Sequence, residues 1–567
     1  MSEMTPMMRQ YLKIKEKHKD EILFFRLGDF YEMFFDDADI AARELELTLT
    51  GKDCGLEERA PMCGIPYHSC ESYIARLLAK GYKVAICEQT EDPALAKGLV
   101  RREIVRVITP GTVIEGSMLD EAKNNFLASI YVSGNKAGIC FADVSTGEAY
   151  VTLVESDDIA TRINNENGRY MPSEAIINNE CAALKGATAF LKEKINCTVN
   201  VFDDDRYDSS PEPLLKQFNK ETLEEIGLEG KPETVMAMNA LLSYLKDTQI
   251  NGLERLDTIY YYSEEQYMRL DLSTRRNLEL CETMRGREKR GTLLWVLDKT
   301  KTAMGKRLLR TWIEQPLLNC AEIVRRHNAV GELVSDSIMR ADLADGLTGV
   351  YDLERLMTRI VYGSANAREL RSLAQTAEKL PSIKERMAGV NSQLLKEIYA
   401  GIDPLQDVFK LIDDSIVEDP PALLKEGGII KDGYNAEVDE LREAMTNGHG
   451  FLAKIEAAER EKTGIKNLRI GYNRVFGYYI EVTKSNLSQV PDYYIRKQTL
   501  TNCERYITQE LKELESRVLG AQERIKQLEF QLFDEVRKKV AEQLHRIQRT
   551  AKSLAKLDVL VSFAQTA

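Results

Sequence analysis

The sequence predicts a soluble multidomain chain in which α+β and α/β domains are followed by long helices and a β-rich insertion. Three observations lead to this prediction. The length of 567 residues exceeds what one ordinary hydrophobic core supports, so several domains are expected. Strand-like and helix-like segments alternate through the first 245 residues, whereas the remainder is mostly helical. Between two helical blocks lies a short stretch with the alternation of a β-hairpin.

Residues 1–108 read as one compact α+β domain. Apolar residues alternate in strand-like runs and elsewhere recur at helical spacing. The predicted elements are strands at 22–27, 30–34 and 84–87 and helices at 36–45 and 72–79. Thr109-Pro110-Gly111-Thr112 is typical of a turn, so residues 109–120 are expected to form a linker.

A second, α/β domain is predicted for residues 121–245. Its consecutive strands are expected at 126–132, 138–144 and 148–153, with a turn before the last one. Asp143, at the end of a strand, raises the alternative of a metal-dependent nuclease. Two-metal catalysis needs several convergent carboxylates, and no comparable partners stand at the other strand ends. We therefore favour a structural turn at Asp143.

The rest of the chain is predicted to be helical, in two blocks at 246–430 and 500–567. In the second block, apolar residues from Ile507 to Ile547 recur at spacings of three, four or seven. A continuous helix from Thr501 to Ile547 would be roughly 70 Å long. The pattern is compatible with a strut, an ordinary bundle helix or a coiled coil.

Residues 431–499 separate the helical blocks and have a different, β-rich texture. Residues 468–472 and 477–483 predict a β-hairpin that turns through residues 473–476. An insertion whose two flanks both run into helices belongs at the tip of a helical arm.

The insertion carries a local excess of positive charge. Between residues 462 and 497, seven basic residues minus two acidic ones leave an excess of five, in a chain of net charge −13. Lysine and arginine contacts to phosphates hold nucleic acid without reading its sequence. Both a nucleic-acid contact and a solvated hairpin fit this charge, which is interleaved with tyrosines. The candidate cations are Lys466, Arg469, Arg474, Lys484, Arg496 and Lys497.

Composition argues against several classes of protein. The chain has no apolar run of about 18 residues that would cross a membrane, and its lysine-rich start is unlike a secretory signal. Ten cysteines and five histidines are dispersed without a C-x-x-C pair, so we predict a reducing cytoplasm and no metal site. The net charge of −13 argues against a protein that coats nucleic acid with a broad basic surface.

The segment at 28–32, Gly-Asp-Phe-Tyr-Glu, is the strongest candidate for a binding site. In an extended strand, side chains two residues apart leave the same face, so Phe30 and Glu32 would point together. An aromatic ring beside one hydrogen-bonding group can test a base pair, because the ring enters the base stack while the carboxylate meets a base edge. The same alternation is also typical of a buried core strand.

Nine short motifs, collinear over nearly all of the chain, resemble those of the MutS family of DNA mismatch-recognition proteins. They are GDFYEMF at 28–34, PMCGIPYH at 61–68, VAICEQ at 84–89, RVITPGT at 106–112, LDKTKTAMG at 297–305, RLLRTW at 307–312, GYN at 471–473, GYYI at 477–480 and LDVL at 557–560. None is diagnostic alone, and their common order carries the resemblance.

This resemblance implies a role for each region. Residues 1–108 would be the mismatch-recognition domain, residues 121–245 a ribonuclease-H-like connector, and residues 431–499 a clamp over the DNA, inserted into core and lever helices. Phe30 would be the wedge, and Glu32 would bond to the mispaired base. Other residues expected near the DNA, the first three at its backbone, are Lys52, Arg101, Arg102 and Met62.

The resemblance also implies an ATPase half that this sequence lacks. No G-x-x-x-x-G-K-[ST] segment occurs, because the three Gly-Lys pairs are followed by Asp53, Pro232 and Arg307. We therefore expect a truncated chain or fragment without catalytic residues, cofactor or metal, and with weak or no dimerisation. The full-length protein is expected to use ATP and Mg²⁺, to form a homodimer, to recruit MutL and to act at the bacterial nucleoid in the cytoplasm.

Recognition of duplex DNA with mispaired bases or small loops is the leading function. The alternatives are a DNA-junction-binding relative, a nuclease that acts through the connector, and a helical scaffold. Junction-binding members of the family generally lack a Phe-x-Glu reader, and a scaffold leaves Phe30, Glu32 and the basic hairpin without a shared purpose.

Overall fold

The computed structural model describes residues 4–55, 58–91, 98–248, 255–263, 266–473 and 477–567. The chain divides into two compact units. The first comprises Met1–Ser364, Thr376–Leu405 and Gln543–Ala567, and the second comprises Ala365–Gln375 and Gln406–Glu542. Two six-stranded sheets lie in the first unit and a four-stranded sheet lies in the second. The predicted mixture of α/β domains with long helices is thus confirmed.

The amino-terminal domain of the first unit is a six-stranded sheet with helices on both faces. Its elements are α1 (Pro6–Lys15), β1 (Glu21–Leu27), β2 (Phe30–Phe34), α2 (Asp36–Leu45), β3 (Thr50–Lys52), β4 (Ala60–Pro66), α3 (Cys70–Leu78), β5 (Lys83–Gln89) and β6 (Arg102–Ile108). The strand order is β3-β4-β2-β1-β5-β6, with only β1 and β5 parallel. The strands and helices predicted for this region are confirmed.

Alternation along β2 distributes its side chains between the two faces of the sheet. Tyr31 and Met33 enter the core beneath α2 and α3, whereas Phe34 packs against α1. Phe30 and Glu32 belong to the same face as Phe34, but Phe30 remains exposed. The start of β2 therefore presents a ring and a carboxylate outward from a strand whose other residues are anchored in two cores.

The middle domain of the first unit holds the second sheet. Its elements are β7 (Leu127–Ser133), β8 (Lys136–Asp143), β9 (Glu148–Glu155), α4 (Ile159–Tyr170), β10 (Glu174–Asn178), α5 (Asn179–Ala183), α6 (Lys185–Ala189), β11 (Thr198–Phe202), α7 (Glu212–Phe218), α8 (Pro232–Thr248) and β12 (Thr258–Tyr261). The order is β11-β10-β7-β8-β9-β12. The three consecutive strands predicted here are confirmed as β7, β8 and β9, which pair antiparallel, and β10, β11 and β12 add to them in parallel pairings.

Asp143 at the end of β8 is fully buried and its carboxylate is saturated with donors. Ser145 donates to it from both its N–H (2.9 Å) and its hydroxyl (2.6 Å). The side-chain amide of Asn124 (2.8 Å) and the N–H of Asn125 (3.1 Å) supply the other two bonds. Asp143 thereby closes the β8-β9 turn and ties the preceding linker to it.

Helices build the remainder of the first unit, apart from residues 367–375 at the start of one of them, which belong to the second unit. They are α9 (Leu272–Asn277), α10 (Leu293–Leu297), α11 (Ala303–Glu314), α12 (Cys320–Ser335), α13 (Ser337–Leu347), α14 (Leu353–Tyr362), α15 (Ala367–Arg386) and α16 (Gln393–Gly401). Arg355 of α14 is buried and donates to the carbonyl oxygens of Asp120 (2.9 Å) and Lys123 (2.7 Å), so the linker is fixed to α14. On α11, Arg307 pairs with Asp352 and Glu354, each at 2.6 Å.

The second unit joins long helices to the third sheet. Its elements are α17 (Gln406–Ser415), α18 (Ala436–Thr463), β13 (Arg469–Asn473), β14 (Gly477–Thr483), β15 (Ile495–Thr499), β16 (Cys503–Ile507) and α19 (Gln509–Ala541). The predicted hairpin is confirmed as the antiparallel pair β13-β14, while residues 474–476, and with them Arg474, lie outside the described residues. The sheet continues through β16 in the order β13-β14-β16-β15.

The helix predicted from Thr501 to Ile547 is wrong at both ends. Its first residues form β16, which pairs with β14 and β15, so α19 begins only at Gln509. The helix stops at Ala541, and α20 (Leu544–Thr566) begins after a short break. Strand pairing with distant residues overrides the helical period at the start, and a local period cannot show it.

Helix α20 belongs to the first unit, where it packs against α11, α12, α13, α14 and α16. Asp558 on α20 accepts hydrogen bonds from the N–H groups of Lys301 and Thr302 and from the Thr302 hydroxyl. Gly305 lies against this carboxylate, since a Cβ there would stand 2.2 Å from an Asp558 oxygen. Among the helices that the structure describes, none is both long and apolar enough to cross a membrane.

Candidate nucleic-acid interface

The turn that leads into β2 is held by two independent contacts. Gly28 has a φ of +58°, in the left-handed region that favours glycine. The Arg26 Nε donates to the Gly28 carbonyl oxygen (2.5 Å), and the Tyr67 N–H donates to that of Asp29 (3.0 Å). The Arg26 guanidinium also lies over the Tyr67 ring, 3.5 Å from its centroid. The backbone immediately before Phe30 is therefore fixed.

Phe30 is the large apolar residue that this turn presents to solvent. It lies between Leu27 of β1 and Pro66 of β4 in the sheet, yet 48% of its surface is exposed. The ring is thus held on a rigid strand and available to a partner.

Glu32 stands two residues further along the same face and is paired with Lys52. The Lys52 Nζ lies 2.5 Å from Glu32 Oε2 and 5.5 Å from the centroid of the Phe34 ring. Gly64 is opposite Glu32 on β4, and a Cβ there would contact the Glu32 Cγ at 3.5 Å. The sequence did not reveal this pair, because Lys52 reaches Glu32 across β4 and only the sheet order shows their proximity.

The opposite face of β2 is anchored by a buried polar cluster. The Tyr31 hydroxyl donates to Glu88, and Arg26 lies 3.4 Å from the same carboxylate. Burial, with the charge of Glu88, raises the pKa of Tyr31 far above its usual range, so the phenol remains a donor. This cluster resists displacement of the strand when Phe30 or Glu32 meets a ligand.

The other three residues predicted near DNA in this domain occupy different environments. Met62 is half-buried and packs with the core under α1. Arg101 is exposed and forms an ion pair with Glu103. Arg102 differs from the expectation of a DNA-backbone contact, because it is buried and its guanidinium donates to the carbonyls of Arg26 and Val100. Arg102 is a structural residue of the domain.

Those predicted cations of the insertion that the structure describes are exposed on the second unit. Lys466, Arg469, Lys484 and Lys497 have no ion-pair partner among the residues described. Arg496, also exposed, lies 3.8 Å from Glu504. Because the sheet is held together by other groups, these cations are available to phosphates.

Glu459 of α18 is one of the groups that hold the sheet of the second unit together. It is 2% exposed and accepts hydrogen bonds from the hydroxyls of Tyr493 (2.8 Å) and Tyr494 (2.9 Å) and from Lys462 (3.1 Å). Burial alone would raise the pKa of Glu459, but these hydrogen bonds outweigh it and place the pKa below its ordinary value. Two of the interleaved tyrosines thus stabilise the sheet, whereas Tyr472 is exposed.

Among the residues that the structure describes, no cluster of three or more His, Cys, Asp or Glu side chains could hold a metal ion. The sheet of the amino-terminal domain carries an exposed aromatic ring and a paired carboxylate, and the sheet of the second unit carries exposed cations of its own.

Comparison with known proteins agrees with this architecture. The family models for MutS domain I, MutS domain II and MutS domain III match residues 5–117, 125–259 and 273–564. Proteins named DNA mismatch repair protein MutS from Ruminiclostridium cellulolyticum and Caldanaerobacter subterraneus are each 54% identical, over 100% and 99% of this chain and 65% of their own length. The protein of that name from Acetivibrio thermocellus is 52% identical over the whole chain and 65% of its own length.

The fold and these matches define a class of multidomain proteins of mixed α/β architecture. More narrowly, the chain belongs to the MutS family. It spans about 65% of the length of the relatives just described.

Proposed function

We propose that the chain recognises mispaired or unpaired bases in duplex DNA by inserting Phe30 into the base stack while Glu32 bonds to a base edge. The observation that carries this proposal is the half-exposed Phe30 ring on an anchored strand, with the Glu32 carboxylate on the same face. Membership of the MutS family and the names of its relatives, DNA mismatch repair proteins, support the same substrate.

The energetics explain how such a site distinguishes defective from intact duplex. Opening a base step costs a few kcal/mol, and stacking a base on an aromatic ring returns about 1–3 kcal/mol. On matched DNA these contributions nearly cancel. At a mismatch the stack is already weakened, and bending the duplex costs less there, so insertion becomes favourable.

We propose that the basic sheet of the second unit is a clamp that holds the DNA backbone. Its exposed cations Lys466, Arg469, Lys484, Arg496 and Lys497 would contact phosphates, which suits a protein that scans any sequence. Arg101, Lys52 and Met62 are the corresponding candidates in the amino-terminal domain. We also propose that residues 121–245 are a ribonuclease-H-like connector, that residues 1–108 and 431–499 are the recognition domain and clamp, and that the helices of 246–430 and 500–567 are core and lever.

The test is fluorescence anisotropy at fixed salt with three duplexes, one matched, one with a G·T mismatch and one with an unpaired T. Wild type is expected to prefer the two defective duplexes, and Phe30→Ala is expected to lose that preference. The control is Val105→Ala, because Val105 is 41% exposed on β6 near the opposite edge of the same sheet. Equal binding of all three duplexes by wild type would contradict the proposal.

The clamp is tested separately through the salt dependence of binding. Each lost phosphate contact reduces the slope of log K against log salt by about one and weakens binding to every duplex equally. Lys466→Gln and Arg469→Gln are expected to act in this way. Lys246→Gln, which removes an exposed lysine of α8, is the charge-matched control. Unchanged slopes in both clamp variants would refute phosphate contact by these residues.

We infer that ATP and Mg²⁺, homodimerisation and MutL binding belong to the whole protein, acting in the bacterial cytoplasm at the nucleoid. Residues 1–567 are proposed to bind DNA without hydrolysing ATP, which a phosphate-release assay tests directly. A junction-binding relative would instead prefer a four-way junction over a G·T duplex. A nuclease would cleave plain duplex with magnesium, but the oxygens of Asp143 already accept four hydrogen bonds.

A further inference from the structure

We propose that Lys52 is a positioning residue for Glu32, holding one carboxylate oxygen and leaving the other to the base, rather than a contact for the DNA backbone. This inference rests on the proposed function of Glu32. It changes the role that the sequence suggests for Lys52.

The geometry of the sheet brings the two side chains together. Lys52 ends β3 and pairs with Ala60 of β4, whereas Glu32 lies on β2, one strand further in. To reach it, the lysine side chain crosses β4 and places its Nζ 2.5 Å from Oε2. The side chain thus extends inward across the sheet toward the carboxylate.

The ion pair lies in a partly buried environment. Gly64 is opposite Glu32 on β4, and a Cβ there would be in ordinary van der Waals contact with the Glu32 Cγ at 3.5 Å. Both partners are partly buried, with 32% of the Lys52 side chain and 18% of the Glu32 side chain exposed. An ion pair in this environment is screened less than one on an open surface.

The pair divides the two carboxylate oxygens of Glu32 between different tasks. Oε2 accepts from Lys52, and no hydrogen-bond donor to Oε1 is found among the described residues. A carboxylate has lone pairs on both oxygens, so Oε1 can accept from a base N–H while Oε2 remains held. The single orientation that the lysine imposes lowers the entropy lost when the base docks.

Charge gives the pair a second effect. An unpaired carboxylate inserted into the base stack would be repelled by the flanking phosphates, which would weaken binding at a mismatch, where insertion occurs. With Lys52 attached, Glu32 enters the DNA as half of a pair without net charge. Lys52 therefore reduces the repulsion that the Glu32 carboxylate would otherwise meet from phosphates when the amino-terminal domain binds DNA.

A double-mutant cycle separates this role from a phosphate contact. Affinities for the G·T and matched duplexes are measured for wild type, Lys52→Met, Glu32→Gln and the double variant at several salt concentrations. Lys52→Arg keeps the charge and reach and is the rescue variant. Lys80→Met is the control, because Lys80, in the turn after α3, forms a similar pair with Glu44 of α2, at 2.8 Å, on the other side of the sheet.

If Lys52 positions Glu32, Lys52→Met lowers the ratio of G·T to matched affinity about fivefold, the size of a part-buried ion pair. The salt slope stays unchanged, Lys52→Arg restores the ratio, and Lys52→Met has no further effect in Glu32→Gln. Equal losses on both duplexes with a salt slope lower by about one would overturn the inference and make Lys52 a phosphate contact. An undiminished effect in the Glu32→Gln background would also overturn it.

These outcomes are distinct from failure of the proposed function. If wild type binds G·T and matched duplexes equally, both the proposed function and this inference are wrong. If wild type prefers the G·T duplex but Lys52→Met behaves as Lys80→Met does, only this inference is wrong.

Discussion

The carboxylate of Asp558 accepts hydrogen bonds from the N–H (2.8 Å) and the hydroxyl (2.7 Å) of Thr302, although 256 residues separate the two. Each belongs to one of the collinear motifs that marked the resemblance to MutS proteins. The bond joins the last long helix to the start of α11. The sequence showed the two motifs as separate signals, and the fold shows that they form one contact.

Gly305→Ala tests how tightly this contact is packed. The added Cβ would stand 2.2 Å from an Asp558 oxygen, so we expect a loss of about 1–3 kcal/mol in the free energy of unfolding. Gly331→Ala, in α12, meets open space and should be neutral or stabilising by up to about 1 kcal/mol. Urea denaturation followed by tryptophan fluorescence measures both, because Trp312 of α11 packs near Phe563 of α20. Equal changes in the two variants would contradict this prediction.

Asp558 also predicts a dependence of stability on pH. Burial, partly offset by hydrogen bonds from Lys301 and Thr302, raises the pKa of Asp558 from 3.8 to about 6. The folded state therefore binds this proton more tightly than the unfolded state, so its contribution to stability is greatest below pH 3.8 and declines as pH rises to about 6. The decline is at most about 3 kcal/mol.

Asp558→Asn removes this titration. The stability advantage of wild type over the variant should shrink as pH rises through that range, in urea titrations read by tryptophan fluorescence. An advantage that grows with pH would show that the bonds to Thr302 outweigh burial.

Two adjacent tyrosines offer a matched test of what stabilises the sheet of the second unit. Both donate to Glu459, but Tyr494 is 7% exposed and Tyr493 is 51% exposed. Tyr494→Phe should cost about 1–2 kcal/mol, because it leaves a buried carboxylate short of a donor. For Tyr493→Phe, water replaces the lost hydroxyl and the cost should be about 0.5 kcal/mol or less. Hydrogen exchange of peptides from β14 and β16 measures the difference, and equal deprotection by both would argue against it.

Two arginines one helical turn apart on α11 should differ in their contribution to stability. Arg307 is buried between Asp352 and Glu354, so Arg307→Met leaves two buried carboxylates without their partner and should cost about 3–5 kcal/mol. Arg310 pairs along its own helix with Glu314 at 3.0 Å, and Arg310→Met should cost about 1 kcal/mol. The same tryptophan-detected unfolding compares them, and a reversed order would contradict the assignment.

Local patterns predicted β1, β2 and β5 of the amino-terminal domain and the hairpin at 469–483, and the fold confirms them. They did not predict β3, β4 and β6, which complete the same sheet. The segment at 503–507 was assigned to helix instead. Its pairing with β14 and β15 comes from residues that are remote along the chain, and periodicity within the segment does not report it.

The candidate site also has one part that the sequence predicted and another that only the fold shows. The placement of Phe30 and Glu32 on one face follows from their spacing in a strand, so the sequence predicted it. The pairing of Glu32 with Lys52 depends on the order of β2, β4 and β3, and the burial of Arg102 depends on packing against Phe25. The spacing of residues along the chain shows neither the order of the strands in the sheet nor the packing of Arg102.

The hydrogen bonds from Arg355 to the linker determine which sequence changes this region tolerates. Its guanidinium bonds to the carbonyl oxygens of residues 120 and 123, which every amino acid supplies. Substitutions there should leave the anchorage intact, whereas inserting or deleting one residue between them would move an acceptor out of reach. The joint between linker and helix α14 is therefore tolerant of changes in composition and intolerant of changes in length.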